Sequence, residues 1–384
     1  LSANTTASNN TGLGYFALST NTTGTENTAV GYLALQDATT AGYNTALGSE
    51  AAKNITTGNL NVAVGVEALA SNTVGDRNVA MGYQALLTLN PDSNVDSYNT
   101  AIGHASLKSL TTGTKNTAIG GLAMETATTG VDNTALGYGA LFANTTASNN
   151  TGLGKSALAA NTTGAENVAV GADAGTANTT GAYNIAIGYR ALDTNTTGDF
   201  NVAIGRRALD ANTTADNNTA VGASALEANT TGAENVAVGA LALDANTTGA
   251  NVVAVGYKAL SSDTKGFGSV AIGNQALENQ NFTSNTDTFN TAVGYFAGND
   301  ITTGDRNTFV GGLAGDATDD GVGNTAVGYL ALSANCGNAN VAVGIECLTV
   351  CTGSSNAAMG QDAGGSLTSG GNNLFLGYQS GITG

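Results

Sequence analysis

Residues 161–171 read NTTGAENVAVG, and residues 229–239 repeat that phrase letter for letter. Variants such as NTTGTENTAVG (21–31) and NTTGDFNVAIG (195–205) fill much of the remaining chain. The glycine that closes each AVG-like triplet marks the repeat. It falls at Gly14, Gly31, Gly48, Gly65 and Gly82, runs from Gly103 to Gly273 in steps of 17, and continues through Gly294, Gly311 and Gly328 to Gly344, Gly360 and Gly377. Two steps are 21 (82 to 103, 273 to 294) and two are 16 (328 to 344 to 360), so the chain holds 22 copies of one unit. A fixed short period is the sequence signature of a solenoid, and it governs every later reading.

Each column of the unit has a physical meaning. An aliphatic residue precedes the glycine in every copy (Leu13, Val30, Val64, Met81), a small residue, mostly Ala, precedes that, and Thr or a β-branched residue comes before it (Thr28, Val62, Ile185). Alternation by two places Val62 and Val64 on one face of a strand and Ala63 on the other, and the aliphatic residue before the glycine, Val170 in the phrase above, is expected in the core. Three places after the glycine comes Ala, except at Ser106, Cys347 and Ser380, and then mostly Leu (Leu35, Leu69, Leu192, Leu260). The NTTG segment that follows has turn chemistry. A period of 17 is too short for a pair of helices and fits one coil of a narrow solenoid with two short parallel strands and two turns. The expected fold is therefore an all-β parallel β-solenoid, or β-roll, of about 22 coils over residues 1–384 as one continuous region. Stacked at about 4.8 Å per coil, it would be a rod roughly 100 Å long.

Asn stands four places before the glycine in all copies but two, where Val252 and Ser269 replace it. Stacked Asn side chains pass amide hydrogen bonds from coil to coil, so Asn27, Asn61, Asn167, Asn201 and Asn235 are predicted rungs of a ladder. The column glycines mark a backbone with positive φ or a close approach that a Cβ would block. The four extra residues of each long coil (86–99 and 277–290) lie at the corner, where they bulge outward, and the single proline, Pro91, sits in the first bulge.

Composition narrows function. Charged residues make up 10% of the chain, with 28 acids against 11 bases, a net charge of −17. An acidic surface of this kind disfavours nucleic acid and anionic membranes as partners. No run of 18 apolar residues exists that would span a bilayer as a helix. Leu1 and Gly384 fall in mid-coil, and a bare coil end is an exposed sheet edge. The expectation is a segment of a longer polypeptide, or a subunit that stacks end to end as a filament.

NVAVGVEALA (61–70) and NVAIGRRALD (201–210) resemble the head repeats of trimeric autotransporter adhesins, whose unit runs Asn-Ser-Val-Ala-Ile-Gly-x-x-Ala. They are also similar to repeats of phage tail-fibre and bacterial surface proteins that end in an intramolecular chaperone domain. The likeness spans essentially the whole chain in about nine columns of seventeen, and the unit here is three residues longer, all in the NTTG corner. The resemblance implies a left-handed β-roll in a side-by-side homotrimer, placed extracellularly on a cell surface or virion. The implied function is a non-catalytic rod that holds a receptor-binding tip toward a host surface or glycan. Apolar residues on both faces of NVAVG give independent support for a partner, since a strand covered on one face alternates apolar with polar. The opposite wall of a thin roll would serve equally, which leaves a monomeric solenoid open.

Candidate chemistry is sparse. His104 has no second histidine to work with, and Glu26, Asp132, Glu166 and Glu234 recur along one edge as a solvated face, so neither catalysis nor a cofactor is expected. Asp316, Asp319 and Asp320 cluster at one corner without the glycine-rich pattern of calcium-binding rolls. Cys336 and Cys351 lie in corners of neighbouring coils and form a candidate disulfide; Cys347 stands in for a core Ala. Asn21, Asn161, Asn195 and Asn229 head N-x-T sequons, as do Asn144, Asn178, Asn212 and Asn246. These are glycosylation candidates or simply good turn formers. The paired threonines and the intermittent Tyr row supply the alternative function, a glycan- or ice-binding module.

Overall fold

The computed structural model describes residues 2–381; the mid-coil positions of Leu1 and Gly384 lie outside them. The chain is an all-β parallel β-solenoid of about 22 turns, with no helix among the described residues. Its coils fall into two compact units. One comprises the residues up to Arg190 with Asn195–Thr197, the other Ala191–Thr194 with the residues from Gly198 onward.

In the first unit each coil contributes one three-residue strand, from Thr11–Leu13 to Ile185–Ile187. Neighbouring strands pair parallel and in register, as where Val62, Ala63 and Val64 face Val79, Ala80 and Met81. The second unit is built alike, from Val202–Ile204 to Leu374–Leu376, with Val236, Ala237 and Val238 facing Val253, Ala254 and Val255. The register also holds across the 21- and 16-residue coils, as where Val79 faces Thr100 and Val341 faces Ala357, because their length changes fall at the corner and not in the strand.

The interior is narrower than the alternation pattern suggests. The central alanine of the strand points inward and is fully buried, as at Ala63, Ala118, Ala203 and Ala237. The residues on either side of it point out. Val170, which the pattern assigns to the core, is only half-buried in the outward row, and Leu47 and Leu136 of the same row are 49% and 42% exposed. The core partners of the strand alanines are the Ala–Leu pairs after the glycine, such as Ala68–Leu69 and Ala208–Leu209, both pairs fully buried.

Those pairs do not form the second strand that the period suggests. Leu69 and Leu209 have φ of +55° and +52°, and Glu67 and Arg207 before them both have +58°. A left-handed backbone costs an L-residue about 1–2 kcal/mol. Burying a Leu side chain contributes about 1.5–3 kcal/mol, which offsets that cost. The turn still bonds across the stack: the Leu69 N–H donates to Ala85 O at 2.9 Å and the Leu209 N–H to Ala225 O at 3.0 Å.

The column glycine is as constrained as expected. Gly171 has φ +134°, and a Cβ there would lie 2.6 Å from the carbonyl oxygen of Gly188, the equivalent residue of the next coil. In the second unit the core changes shape twice, at Phe309 and again at Phe375, where Gly364 and Gly381 take the leucine places and a Cβ at either would meet the Phe375 ring. Phe309 replaces the strand alanine and is fully buried, while Gly298 and Gly315 replace the turn leucines on either side. Cβ atoms at those glycines would lie 2.8 and 2.6 Å from the Phe309 ring, so one aromatic side chain fills the space that two leucines vacate.

The long coils bulge at the corner, as their composition predicts. In the first unit the bulge is tied back by a parallel bridge between Asp76 and Asp96 and by the ion pair of Arg77 with Asp96. In the second, Thr286–Asp287 pairs parallel with Gly266–Phe267. Beneath that pair lies a buried polar network, in which Asp263 accepts from Gln280 Nε2 (2.7 Å) and from the N–H groups of Gly266 (3.1 Å) and Phe282 (3.2 Å). Burial raises the Asp263 carboxyl above its usual range, against the pull of these donors.

Candidate functional site

The predicted asparagine ladder is present in both units. Asn27, Asn61, Asn167, Asn201 and Asn235 are buried. The Asn167 N–H donates to Asn150 Oδ1 (2.9 Å), and its Nδ2 reaches the Gly181 carbonyl of the next coil (2.8 Å). Asn61 does the same toward Asn44 and Gly75, both at 2.9 Å, and Asn235 toward Asn218 at 3.0 Å and Gly249 at 2.9 Å. Asn27 Oδ1 accepts from the Asn44 N–H (3.0 Å), and Asn201 Oδ1 from the Asn218 N–H (3.0 Å). One side chain thus satisfies a backbone donor of its own column and a carbonyl of the neighbouring corner, groups whose burial without partners would be costly.

A second ladder lies where the sequence suggests a surface turn. The sequon asparagines Asn21, Asn161, Asn195 and Asn229 are fully buried, and they stack on their equivalents. Asn161 Nδ2 donates to Asn144 Oδ1 and to Gly164 O, both at 2.9 Å, and Asn178 Nδ2 donates to Asn161 Oδ1 at 2.8 Å. Asn195 Nδ2 continues to Asn178 Oδ1 at 2.9 Å, Asn229 Nδ2 to Asn212 Oδ1 at 3.0 Å, and Asn21 Nδ2 closes on Gly24 O at 3.0 Å. The glycosylation reading is therefore corrected. The nitrogen that would carry a sugar is already engaged and faces the interior. The signal that could have found this ladder is the set of apolar residues sharing its column: Ile55, Leu89 and Leu110, all fully buried.

The disulfide is corrected too. Cys336, Cys347 and Cys351 are free and buried. Cys336 Sγ lies 3.3 Å from Thr318 Oγ1, and Cys351 Sγ accepts from Asn356 Nδ2 at 3.4 Å. Cys336 and Cys351 are 15 residues apart, while neighbouring coils here stack residues 16 apart, as where the Gly337 N–H donates to Gly353 O. Burial raises all three thiols, Cys347 to about 11.

The other candidates disperse. His104 is exposed and stacks on Tyr83, with ring centroids 5.4 Å apart. Glu26, Asp132, Glu166 and Glu234 are exposed, each at a positive-φ turn position. Asp316 is half-buried, and its carboxyl is raised by burial and then by Asp300; among the described residues no group of three or more acids, histidines or cysteines converges to hold a metal. No described helix is long and apolar enough to cross a membrane.

What remains conspicuous is the outward strand face. In every coil it carries two side chains, mostly Val, Ile, Leu, Met or Thr. Beside it runs the intermittent tyrosine row, with Tyr15, Tyr138 and Tyr295 largely exposed. Eleven strands about 4.8 Å apart, each three residues long at about 3.3 Å, give a face of roughly 500 Å² in each unit. Comparison with protein-family models returns no match, and comparison with curated proteins returns none either.

Proposed function

We propose that this chain is a non-catalytic structural segment of an extracellular fibre, a bacterial surface filament or phage tail fibre. In this reading it assembles as a side-by-side homotrimer whose apolar strand faces cover one another and hold a receptor-binding tip away from the surface that bears it. The observation that carries the reading is the outward Val/Ile/Leu row, which recurs at one coil spacing. A second copy repeats at the same spacing, so identical faces meet in phase along their length. Two faces of roughly 500 Å² bury about 1,000 Å² per unit and pair of copies, near the lower bound of a stable interface. The resemblance to trimeric adhesin repeats favours three copies over two.

Sedimentation equilibrium tests it. The expected mass is three times the 37.7 kDa of one chain. Lysine at outward positions, as in Val202→Lys with Val236→Lys, is expected to shift the mass toward one chain while the β-sheet circular dichroism stays unchanged. A wild-type chain that sediments as a monomer at all concentrations overturns the trimer.

The alternative, binding through the Thr and Tyr rows, draws on the outer threonines, such as Thr129, Thr146 and Thr163, which are exposed once per coil. Their inner neighbours are engaged: Thr128, Thr145 and Thr162 donate to the carbonyl oxygens of Thr145, Thr162 and Thr179 at 2.9–3.2 Å. Tyr15 and Tyr32 stack with centroids 5.5 Å apart, which turns ring faces toward each other and away from a sugar. Thermal hysteresis of the purified chain would favour this alternative; its absence favours the fibre.

A further inference from the structure

In coils such as those of Asn144, Asn161 and Asn178 the two positions flanking the buried corner asparagine offer little to a ligand. One is alanine (Ala143, Ala160, Ala177), and the other is a threonine whose hydroxyl is already donated to the next coil. In the second unit, around the long coil, both rows change. Ser262, Asn279, Asp300 and Ala317 occupy the first, Asn281, Thr302 and Asp319 the second, and Asn335 closes the end. Together they line a groove of about 760 Å³.

The lining is pre-positioned by bonds between coils. Asn279 Nδ2 donates to Asp300 Oδ1 (3.3 Å), Thr302 Oγ1 donates to the Asp319 carboxylate, Thr264 Oγ1 donates to Asn281 Oδ1 (3.2 Å), and the Asp319 N–H donates to Asn335 Oδ1 (3.2 Å). A carboxylate has room for about four hydrogen bonds, so Asp300 and Asp319 keep acceptor capacity after these contacts.

The chemistry of the lining selects its ligand. It contains no base and two carboxylates, which repel phosphate, sulfate and nucleic acid. It contains no aromatic and only one apolar side chain, which gives a hydrophobic ligand nothing to bury. Carboxylates and carboxamides set side by side suit a ligand that presents neutral, vicinal hydroxyls. The lining also recurs once per coil, at about 4.8 Å, close to the length of one pyranose ring in an extended glycan. We propose that this groove binds a neutral oligosaccharide strand running along the coil axis, with Asp300 and Asp319 accepting from sugar hydroxyls and Asn279, Asn281 and Asn335 supplying amide contacts. The site lies on the corner rows and not on the strand face, so it does not depend on the trimer.

The test is titration calorimetry of the whole chain with neutral hexasaccharides (β-1,4-linked glucose, β-1,4-linked xylose and α-1,4-linked glucose), a sulfated hexasaccharide, and calcium chloride alone. At least one neutral hexasaccharide is expected to bind, and the sulfated one to give no heat. Asp300→Ala and Asp319→Ala should each weaken binding about tenfold or more, while Thr163→Ala, in the regular coils of the first unit, leaves it unchanged. All three variants should keep the wild-type circular dichroism and sedimentation mass. No binding by any neutral hexasaccharide, binding that survives the combined Asp300→Ala, Asn281→Ala and Asp319→Ala variant, or calcium binding with no sugar binding each overturns the proposal. Because mass is measured on the same samples, loss of sugar binding is separable from failure of the fibre reading.

Discussion

Replacing Phe309 by alanine is expected to open the second unit locally, and the size of the effect follows from what surrounds the ring. Phe309 is fully buried, and the positions that would hold leucine beside it are Gly298 and Gly315. Of the neighbouring side chains only Leu277 leans into the Gly298 space, and it cannot fill both glycine places, so Phe→Ala should cost about 3–5 kcal/mol, the usual range for a buried aromatic. Adding leucine to the wild type should also destabilise. A Cβ at Gly315 would already lie 2.6 Å from the Phe309 ring, and overpacking costs about 1–3 kcal/mol. Combining Phe309→Ala with Gly298→Leu and Gly315→Leu restores the arrangement of ordinary coils. Gly298 and Gly315 have φ of +59° and +62°, near the +50° and +52° at which Leu277 and Leu332 sit. The triple variant should come within about 2 kcal/mol of wild type, because two left-handed leucines cost about 1–2 kcal/mol each and their burial contributes about 1.5–3 kcal/mol each. Stacked coils need not unfold in one step, so the assay is native-state hydrogen exchange of peptides covering 291–316. Phe309→Ala should speed exchange there by about two to three orders of magnitude, at about 1.4 kcal/mol per decade. A change below about tenfold, or a triple variant no better protected than the single one, refutes the volume-exchange argument.

Three further outcomes are expected. Asn161→Ala removes a donor to Asn144 and Gly164 and an acceptor for Asn178, and leaving these buried groups short of partners should cost about 2–4 kcal/mol; Thr163→Ala should stay within about 0.5 kcal/mol of wild type in the same denaturation series. Burial, with the nearby Glu227 charge adding to it, raises the Asp244 carboxyl from 3.8 to about 6. The folded state thus binds this proton more tightly than the unfolded state, and the contribution is full below about 3.8 and lost as pH rises through about 6. Wild type should lose melting temperature relative to Asp244→Asn between pH 4 and 6.5, and parallel pH profiles would refute the assignment. Finally, the buried, raised thiols of Cys336, Cys347 and Cys351 should resist iodoacetamide in the native chain at pH 7.5 and take up three labels after denaturation. A chain that oxidises to a Cys336–Cys351 disulfide without unfolding would refute the assignment of three free thiols.

The sequence carries the period and the rules that act between equivalent residues. Gly171 is glycine and Asn167 is asparagine because each meets its own copy one coil away, and a repeat displays such self-contacts directly. It does not carry the choice between inside and outside. Val170 and Ala169 are both apolar, so alternation marks two faces without saying which one closes on the Leu158 side of the coil; lumen width decides, and width belongs to the closed coil. The left-handed leucines escape for a similar reason, since no residue-level preference favours Leu at positive φ. The visible hint is that Gly175, Gly298, Gly315 and Gly364 occupy the same column. Asn161 reads as a turn because NTTG is good turn chemistry, and it is a turn. Its amide nevertheless points inward, as the leucines and isoleucine in its column imply. Groove residues such as Asn279 and Asp300 look like ordinary corner substitutions until stacking sets them side by side.

The Phe309 exchange has a consequence for how such a chain can change length. Where every coil presents the same contacts above and below, whole coils can be gained or lost by recombination between matching phrases, four coils at once for the identical pair 161–171 and 229–239, and the new junction meets surfaces it already fits. The coils carrying Gly298, Phe309 and Gly315 are not interchangeable in that way: a breakpoint between them would pair a phenylalanine with a leucine, or a glycine with a gap. They form an indivisible block, and the coils carrying Gly364, Phe375 and Gly381 form another of the same kind. Length should vary freely among relatives outside these blocks and stay fixed across them.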